Sequence, residues 1–266
     1  MGRLEGKCAL VVGAAGKGNM GQVIARRFAA EGAKVAVAGR KMDPLNELAS
    51  DIGGVAIECE FTDRESIFAM VDQATDAMGR LDIAVNATGW GLLKPFLETT
   101  DEDFDRMVAL QLRGPFQFLQ ALIPVMERNR GGSIIQISSA TATIMFHDHS
   151  AYMATKAGTD HMIRTIANEF GAAGIRANSV SPGVTETPMT ADASAVPGLM
   201  DAFKKGYPLG RYGTSEDIAA ACVFLASDEC FMTGENLQVN GGLTLRGNPS
   251  KADIEASVAA AMAGAS

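Results

Sequence analysis

The sequence lacks long hydrophobic runs: no apolar stretch in its 266 residues approaches the ~20 residues that a membrane-spanning helix requires. It also lacks an excess of positive charge, since the formal net charge is −8 and binding to nucleic-acid phosphates requires clustered Lys and Arg. Its four cysteines form no Cys-x-x-Cys pair, so we interpret them as small core residues in a reducing compartment. The apolar run CALVVGAAG is too short and too rich in glycine for a signal peptide. We therefore expect a cytoplasmic protein that binds neither nucleic acid nor membrane.

Short β-rich runs alternate with helical patterns along the chain, which is typical of a parallel sheet covered by helices on both faces. Strands are predicted at Lys7–Val12, Lys34–Ala38, Val55–Cys59, Leu81–Val85, Ser133–Ile137, Arg176–Val180 and Asn236–Val239. Helices are predicted at about 20–31, 42–51, 63–78, 101–128, 150–171 and 215–227. The sequence thus predicts an α/β protein with one doubly wound parallel sheet of about seven strands.

Three residues form a candidate proton-transfer group. Tyr152 and Lys156 are four residues apart in a predicted helix, so the phenol and the ammonium share one face. A free tyrosine titrates near pH ~10, too high for a general base at neutral pH, and a neighbouring ammonium is expected to lower that pKa. Ser139, at the end of the preceding strand, is placed to hold the oxygen that is protonated. The alternative is a half-buried tyrosine beside a solvated lysine.

A glycine-rich turn joins the first predicted strand to the first predicted helix, reading GAAGKGNMG from Gly13 to Gly21. Glycines at such a turn let backbone N–H groups approach a pyrophosphate at the helix N-terminus. The strand before and the amphipathic helix after complete a unit of about thirty residues. We therefore predict a dinucleotide site, the alternative being a glycine-rich turn without a ligand.

The end of the second strand bears on which dinucleotide is preferred. An acidic residue often lies about twenty residues beyond the glycine turn and holds the ribose hydroxyls. This strand instead ends in Ala38-Gly39-Arg40-Lys41, and a guanidinium followed by an ammonium suits a 2′-phosphate. We predict NADP(H) in preference to NAD(H), with NAD(H) still possible. The alternative is that both cations are solvated turn residues.

No linker or repeat divides residues 1–242, which we interpret as one dinucleotide-binding domain. Residues 188–208 mix prolines and glycines with helical fragments, and so long a loop in a compact domain is usually a lid or a binding loop. Pro124 is expected to kink the 101–128 helix or to end it early. The Ala-rich residues 243–266 are a C-terminal extension, either a short helix or without fixed structure, and no separate domain.

Together these features resemble the short-chain dehydrogenase/reductase family, and the resemblance runs from LEGKCALVVGAAG to LQVNGG. NATG at 86–89 looks like the family's N-N-A-G motif, and ISS at 137–139 like its serine motif. YMATK at 152–156 looks like its active-site motif, and SPGVTET at 181–187 like its nicotinamide loop. The resemblance implies a Rossmann-type fold and hydride transfer between a nicotinamide cofactor and a ketone or secondary alcohol.

The resemblance also implies roles for the matching residues. Tyr152 would exchange the proton of the substrate oxygen, Lys156 would bind the nicotinamide ribose, and Ser139 would hydrogen-bond the carbonyl. Gln111 replaces the asparagine that usually completes a proton relay, and its additional methylene would hold the relay water differently. Cofactor contacts are expected at Tyr152 and Lys156 and at Gly13, Asn19, Met20, Gly21, Arg40, Glu60, Phe61, Asn86, Gly89, Thr185 and Thr187.

Three other functions compete with this interpretation. The glycine turn is two residues longer than usual, closer to the enoyl-reductase branch, but that branch has six residues between its tyrosine and its lysine, and the required position holds His149. An enoyl reductase is therefore not favoured. A 3-oxoacyl thioester reductase acting on acyl carrier protein shares every catalytic motif and stays open. So does a nucleotide-binding homologue with impaired catalysis, which only Gln111 supports.

The segment between Ser139 and Tyr152 suggests the substrate. His147, Asp148 and His149 are too few to complete a metal site, so no metal is predicted. The substrate pocket is predicted at Trp90, Thr141, His149 and Met189. Its partly apolar wall suits an aromatic or alicyclic alcohol or ketone. The resemblance further implies a homotetramer, or a dimer, assembled through the 101–128 and 150–171 helices and the C-terminal strand region.

Overall fold

The computed structural model describes residues 2–188 and 190–264, without the side chains of residues 192 and 193. Met189, one of the predicted pocket residues, therefore lies outside the described residues. The described part of the chain contains seven strands in one parallel sheet of order β3-β2-β1-β4-β5-β6-β7. They are β1 (Cys8–Val12), β2 (Lys34–Gly39), β3 (Val55–Glu58), β4 (Ile83–Asn86), β5 (Gly132–Ile137), β6 (Ile175–Pro182) and β7 (Asn236–Val239). The predicted doubly wound sheet is confirmed.

Helices cover both faces of the sheet. In chain order they are α1 (Met20–Ala30), α2 (Met42–Ile52), α3 (Arg64–Met78), α4 (Asp101–Val108), α5 (Gly114–Arg128), α6 (Ser150–Phe170), α7 (Ala191–Ser194), α8 (Leu199–Lys204), α9 (Ser215–Ala226), α10 (Leu243–Arg246) and α11 (Lys251–Gly264). One core contains Phe28 of α1, Leu45 of α2 and Ile218 of α9. The other contains Met70 of α3 and Phe118 of α5, with further residues of α6. Both strand faces are thus buried, as continuous apolar strands require.

The predicted helix at 101–128 is interrupted. Residues Ala109–Arg113 form a π-helical turn between α4 and α5, and a π turn leaves room for an extra residue within a helix. The expectation that Pro124 ends the helix early is wrong, because α5 continues to Arg128. The backbone carbonyl that loses its donor belongs to Gln120, whose exposed position lets water replace that hydrogen bond.

The C-terminal part of the chain packs on the segment that follows β6. That segment contains α7 and α8, and the Ala-rich tail forms α11, which lies against α8. Ser257 Oγ of α11 donates to the backbone carbonyl of Gly198, 2.8 Å away. All four cysteines are buried and free. No helix in residues 2–188 and 190–264 is long and apolar enough to cross a membrane.

Candidate active site

A cleft of about 670 Å³ opens at the carboxyl ends of β1, β4 and β5. The sheet order reverses between β1 and β4, and ligands of such folds bind at this reversal. The cleft is lined by the glycine turn, by the residues that follow the strand ends and by part of α6. The predicted site residues on its wall are Gly13, Asn19, Met20, Gly21, Arg40, Glu60, Phe61, Gly89, Trp90, Ser139, Tyr152, Lys156, Thr185 and Thr187.

The glycine turn is held in shape by its own side chains. Asn19 Oδ1 accepts from the N–H of Gln22 (3.0 Å), capping α1, while Asn19 Nδ2 donates to the carbonyl of Gly13 (2.8 Å). Gly13 has a φ of 92°, and a Cβ there would lie 2.7 Å from the backbone of Ala87. A Cβ at Gly21 would lie 2.6 Å from the Gly13 oxygen. Because both positions are glycine, the backbone segments can lie this close together, and the α1 N-terminus stays accessible to a ligand. The residues therefore fit a dinucleotide.

Arg40 follows β2 at the cleft rim and faces an acid. Its Nη1 lies 3.7 Å from Glu60 Oε2, in an ion pair with both side chains exposed. Glu60 Oε1 accepts from the N–H (3.1 Å) and the hydroxyl (2.8 Å) of Thr62. The sequence predicted Glu60 only as a cofactor contact and missed this pairing, because the acid follows β3 rather than β2. An exposed ion pair contributes little energy, so a stronger anion can displace Glu60 from Arg40.

Ser139, Tyr152 and Lys156 converge on the inner end of the cleft. Ser139 begins the short 3-10 turn at 140–142, and its Oγ lies 2.9 Å from Thr141 Oγ1. Lys156 Nζ donates to the carbonyl of Ile137 (2.9 Å), at the end of β5. The same Nζ lies 5.5 Å from the centre of the Tyr152 ring. The helical spacing of Tyr152 and Lys156 and the strand-end position of Ser139 therefore bring all three to one place.

Burial controls the protonation of this group. It raises the pKa of Tyr152 to about 12, and hydrogen bonding with the Ser139 side chain opposes the rise. Burial also lowers the pKa of Lys156 to about 8, opposed by the charge of Asp160. The expectation that Lys156 lowers the pKa of Tyr152 is wrong for this structure, because desolvation dominates and the ammonium is directed to the Ile137 carbonyl. At neutral pH Tyr152 is a phenol and Lys156 is largely an ammonium.

Four predicted site residues lie behind the cleft wall rather than on it: Asn86, Gln111, Thr141 and His149. Asn86, predicted to contact the cofactor, is buried and donates through Nδ2 to Gln136 Oε1 (2.9 Å). Its Oδ1 accepts from the N–H (3.0 Å) and hydroxyl (2.7 Å) of Thr88. Asn86 thus shapes the turn that carries Gly89. Thr141, in turn, holds the Ser139 hydroxyl.

Gln111 is a buried residue of the π turn. Its Nε2 donates to the carbonyl of Trp90 (3.4 Å) and contacts Met107 Sδ. Its Oε1 has no hydrogen-bond partner among the described residues, and a Cβ added to Gly89 would lie 3.5 Å from it. The side chain therefore supports the Gly89–Trp90 wall from behind. The backbone carbonyl of Gln111 accepts from Thr159 Oγ1 (2.6 Å).

His149 packs against Tyr152. Its ring stacks on the Tyr152 ring, with centroids 4.3 Å apart and planes inclined by 27°. Its Nδ1 lies 2.7 Å from the carbonyl of Leu92, and because a carbonyl only accepts, Nδ1 carries the proton. Burial lowers the pKa of His149, opposed by the bond to Leu92, so the ring is neutral at pH 7. In the described part of the chain, no three His, Cys, Asp or Glu side chains are grouped to hold a metal ion.

Two charged residues were missed from the sequence. The Arg106 guanidinium stacks over the Trp90 ring, 4.1 Å from its centre, and both residues line the cleft. Asp160 lies one turn beyond Lys156 on α6. The i, i+4 spacing of Lys156 and Asp160 was a usable signal, whereas no pattern links Arg106 to Trp90 because the contact depends on the path of the loop after β4.

Comparison with known proteins identifies the family. The family model described as Enoyl-(Acyl carrier protein) reductase matches residues 13–244. D-threitol dehydrogenase of Mycolicibacterium smegmatis is 37% identical over 250 residues, which cover 92% of this chain and 95% of that protein. The chain belongs to the short-chain dehydrogenase/reductase family. It is accordingly an oxidoreductase that uses a nicotinamide cofactor and acts on CH–OH or C=O groups.

Two other members of the family match more than nine-tenths of this chain. The 3-oxoacyl-[acyl-carrier-protein] reductase of Thermotoga maritima is 33% identical over 249 residues, covering 91% of this chain and 100% of that protein. A solved 7α-hydroxysteroid dehydrogenase, complexed with NADH and 7-oxo glycochenodeoxycholic acid, superposes with a TM-score of 0.85 at 33% identity. That comparison covers 93% of this chain and 96% of the other. The Rossmann-type fold predicted from the motifs is thereby confirmed.

Proposed function

We propose that this protein is an NADP(H)-preferring carbonyl reductase or alcohol dehydrogenase in which Tyr152 is the acid/base. The observation that carries the proposal is the convergence of Ser139, Tyr152 and Lys156 on the same cleft as the glycine turn. Titratable groups arranged in this way in a cleft usually serve chemistry. The bound nicotinamide would supply or accept the hydride.

The chain's own residues would position the substrate and move its proton. Ser139, held by Thr141, offers a hydroxyl at the wall of the cleft beside Tyr152. Tyr152 is protonated at neutral pH because burial raises its pKa to about 12. It is therefore ready to donate a proton to a carbonyl oxygen, which is the direction of reduction. The Lys156 ammonium lines the same cleft and would bind the cofactor's hydroxyl groups.

The preference for NADP(H) rests on the rim of the cleft. Arg40 is largely exposed there and is paired only with the exposed Glu60 among the described residues. A 2′-phosphate carries more charge than one carboxylate and accepts hydrogen bonds from a guanidinium in a bidentate manner, so it would displace Glu60. Lys41, which also lines the cleft, would add a second cation.

The substrate would be an aromatic or alicyclic ketone or alcohol. Trp90 lines the cleft. Next to the site, the His149 ring contacts the Phe146 ring, and the centroid of the Phe146 ring lies 5.5 Å from that of the Phe203 ring. Residues 188–208, with Phe203 among them, would form the lid. The solved relative whose complex contains a steroid supports a rigid ring system. If only small linear polyols were turned over, this choice of substrate would be wrong.

Two related activities are less well supported. For an enoyl reductase, His149 would have to replace the catalytic tyrosine, yet His149 stacks behind Tyr152 and does not line the cleft. A 3-oxoacyl thioester reductase remains the alternative because the relative from Thermotoga maritima carries that name. Acyl-carrier-protein thioesters in the substrate panel separate it from a reductase of free ketones.

We also propose a cytoplasmic homotetramer, with a dimer as the alternative. Phe104 and Phe116, on α4 and α5, are exposed, and a second copy of the chain packing against the 101–128 and 150–171 helices would cover them. Light scattering of the purified protein, compared with Phe116→Asp, measures the assembly. A wild-type protein that is monomeric at micromolar concentration contradicts the proposal.

The decisive experiment measures nicotinamide absorbance with each cofactor form and a panel of ketones and alcohols. Tyr152→Phe is expected to lower kcat by about a thousandfold, within the range for loss of a general acid, while binding of NADPH persists. Tyr212→Phe removes another of the three tyrosine hydroxyls and serves as the matched control. Retention of activity in Tyr152→Phe would exclude the proposed acid. Wild-type NADPH binding without any turnover would favour a nucleotide-binding protein that has lost catalysis.

A further inference from the structure

Asp160 lies directly behind the catalytic residues. It is one turn beyond Lys156 on α6, so the two side chains share a face of the helix. Its Oδ2 accepts from the hydroxyl of Ser138 (2.8 Å) and from Nδ2 of Asn236 (2.6 Å). Ser138 follows β5, immediately precedes Ser139 and lines the cleft, while Asn236 begins β7. One carboxylate thus joins the helix that carries Tyr152 and Lys156 to two separate strands.

The charge of Asp160 is not used by a salt bridge. No cation of the described residues lies within 4.0 Å of its carboxylate. Burial raises its pKa, and the nearby hydroxyl groups of Ser179 and Ser138 oppose the rise. Among the described residues, Lys156 is the one charged group that acts on the pKa of Asp160, and Asp160 is the one that acts on the pKa of Lys156. On one face of α6, each is therefore the charged neighbour that favours the ionised form of the other.

We propose that Asp160 is a positioning residue of the active site, which fixes α6 against the Ser138–Ser139 end of β5 and supplies the negative charge that keeps Lys156 protonated. The inference rests on the proposed function, because it assigns the charge on Lys156 a part in turnover. Nothing in the reaction requires Asp160 to touch substrate or cofactor. Its effect passes through the geometry of Ser139 and the protonation of Lys156.

The physical reason is that burial alone disfavours an ammonium. Desolvation already lowers the pKa of Lys156 to about 8 in the presence of Asp160. Without the opposing carboxylate, the pKa would fall further, and the lysine would lose its charge within the working range. A conformational role alone would not change this titration, so the two contributions are separable by experiment.

The test compares Asp160→Asn, which keeps the shape and removes the charge, with Asn236→Ala, which removes one hydrogen bond and keeps the charge. For Asp160→Asn, the alkaline limb of the kcat/KM profile is expected to move to lower pH by about one unit. At pH 8 the protonated fraction of Lys156 would then fall from about one half to about one tenth, an additional loss of about fivefold that disappears at pH 6. Asn236→Ala is expected to leave the limb in place, and Asp160→Glu to restore it in part.

A second readout does not depend on turnover. Because the pKa of folded Lys156 is lower than that of a lysine in the unfolded chain, Lys156 contributes a rise in stability with pH between about 8 and 10.5, and the difference between wild type and Asp160→Asn isolates this contribution from those of other groups. In Asp160→Asn this rise is expected to begin at lower pH. If both the kinetic limb and the stability profile match the wild type, Asp160 has no influence on Lys156 and the proposal is wrong. If the stability profile moves while Tyr152→Phe stays active, the pairing stands and the proposed function fails.

Discussion

At the scale of single residues, burial governs the chemistry of this site more than neighbouring charges do. Tyr152 is held as a phenol and Lys156 has an unusually acidic ammonium, both because they are desolvated. His149 is neutral for the same reason and stacks against Tyr152. At the exposed rim the balance differs, since Arg40 and Glu60 retain their contact with water. Substitutions of the exposed Arg40 and Glu60 should therefore change cofactor binding, and substitutions of the buried Tyr152 and Lys156 should change turnover.

Arg40→Ala tests the choice of cofactor. Loss of the guanidinium is expected to raise KM for NADPH by about tenfold or more, because a charge-assisted hydrogen bond contributes about 1.5–3 kcal/mol. KM for NADH should change little. Initial rates with both cofactors measure the effect.

Glu60→Gln is the matched variant for this prediction. Removing the acid that faces Arg40 is expected to lower KM for NADPH and to leave kcat unchanged. Equal changes for NADPH and NADH in both variants would show that Arg40 does not discriminate between them.

At the scale of elements, the π turn between α4 and α5 connects the cleft wall to α6. Thr159 is fully buried, and its Oγ1 lies 2.6 Å from the carbonyl of Gln111 and 2.9 Å from that of Thr155. The one hydroxyl proton satisfies one carbonyl at a time. This hydroxyl therefore ties the π turn that carries Gln111 to α6.

Thr159→Val tests the role of this hydroxyl. The substitution keeps the branched shape and leaves a buried carbonyl without its donor, so the free energy of unfolding should fall by about 1–3 kcal/mol. Chemical denaturation measures the change.

Thr165→Val, on the same helix, is the control. Thr165 is exposed and its Oγ1 donates to the carbonyl of His161 (3.2 Å), so water can replace the lost hydroxyl. A change within about 0.5 kcal/mol is expected. Equal losses for Thr159→Val and Thr165→Val would show that the π turn does not need the Thr159 hydroxyl.

At the scale of the whole molecule, the C-terminal segment, defined as residues 248–264, joins two parts that flank the substrate side of the cleft. Asn248 Nδ2 donates to the carbonyl of Met145 (3.2 Å), and Lys251 pairs with Asp148 (2.5 Å). Ser257 reaches the carbonyl of Gly198 at the start of α8. The segment therefore stabilises the loop before α6 and the proposed lid together, while the glycine turn lies at a different part of the fold.

The double variant Lys251→Met, Ser257→Ala tests this connection. It is expected to raise KM for the carbonyl substrate by about three- to tenfold, because loosening a lid weakens substrate binding, and to leave KM for NADPH unchanged. Lys7→Met is the control, since it breaks an ion pair with Asp228 at the opposite end of the sheet. If KM for NADPH rises as much as KM for the substrate, the segment acts on the whole fold rather than on the lid.

Local patterns in the sequence were sufficient to predict the seven strands and to group Ser139, Tyr152 and Lys156 with the glycine turn. The seven strands lie within two residues of their predicted bounds, because alternating buried strands and amphipathic helices leave distinct periodicities. Ser139, Tyr152, Lys156 and the glycine turn, which the sequence motifs grouped, line one cleft. In a parallel sheet the strands point the same way, so residues that follow their carboxyl ends meet at one edge.

The sequence by itself determined the fold, the family and the grouping of the glycine turn with Ser139, Tyr152 and Lys156. Only the tertiary structure decided the protonation of Tyr152, the pairing of Arg40 with Glu60, the withdrawal of Asn86 and Gln111 behind the wall, and the charge interaction of Asp160 with Lys156. Each of these depends on which groups are desolvated and which distant segments meet. Periodicity and spacing in the sequence predict the face of its own helix or strand on which a side chain lies. Burial and pairing, in contrast, depend on how the whole chain packs.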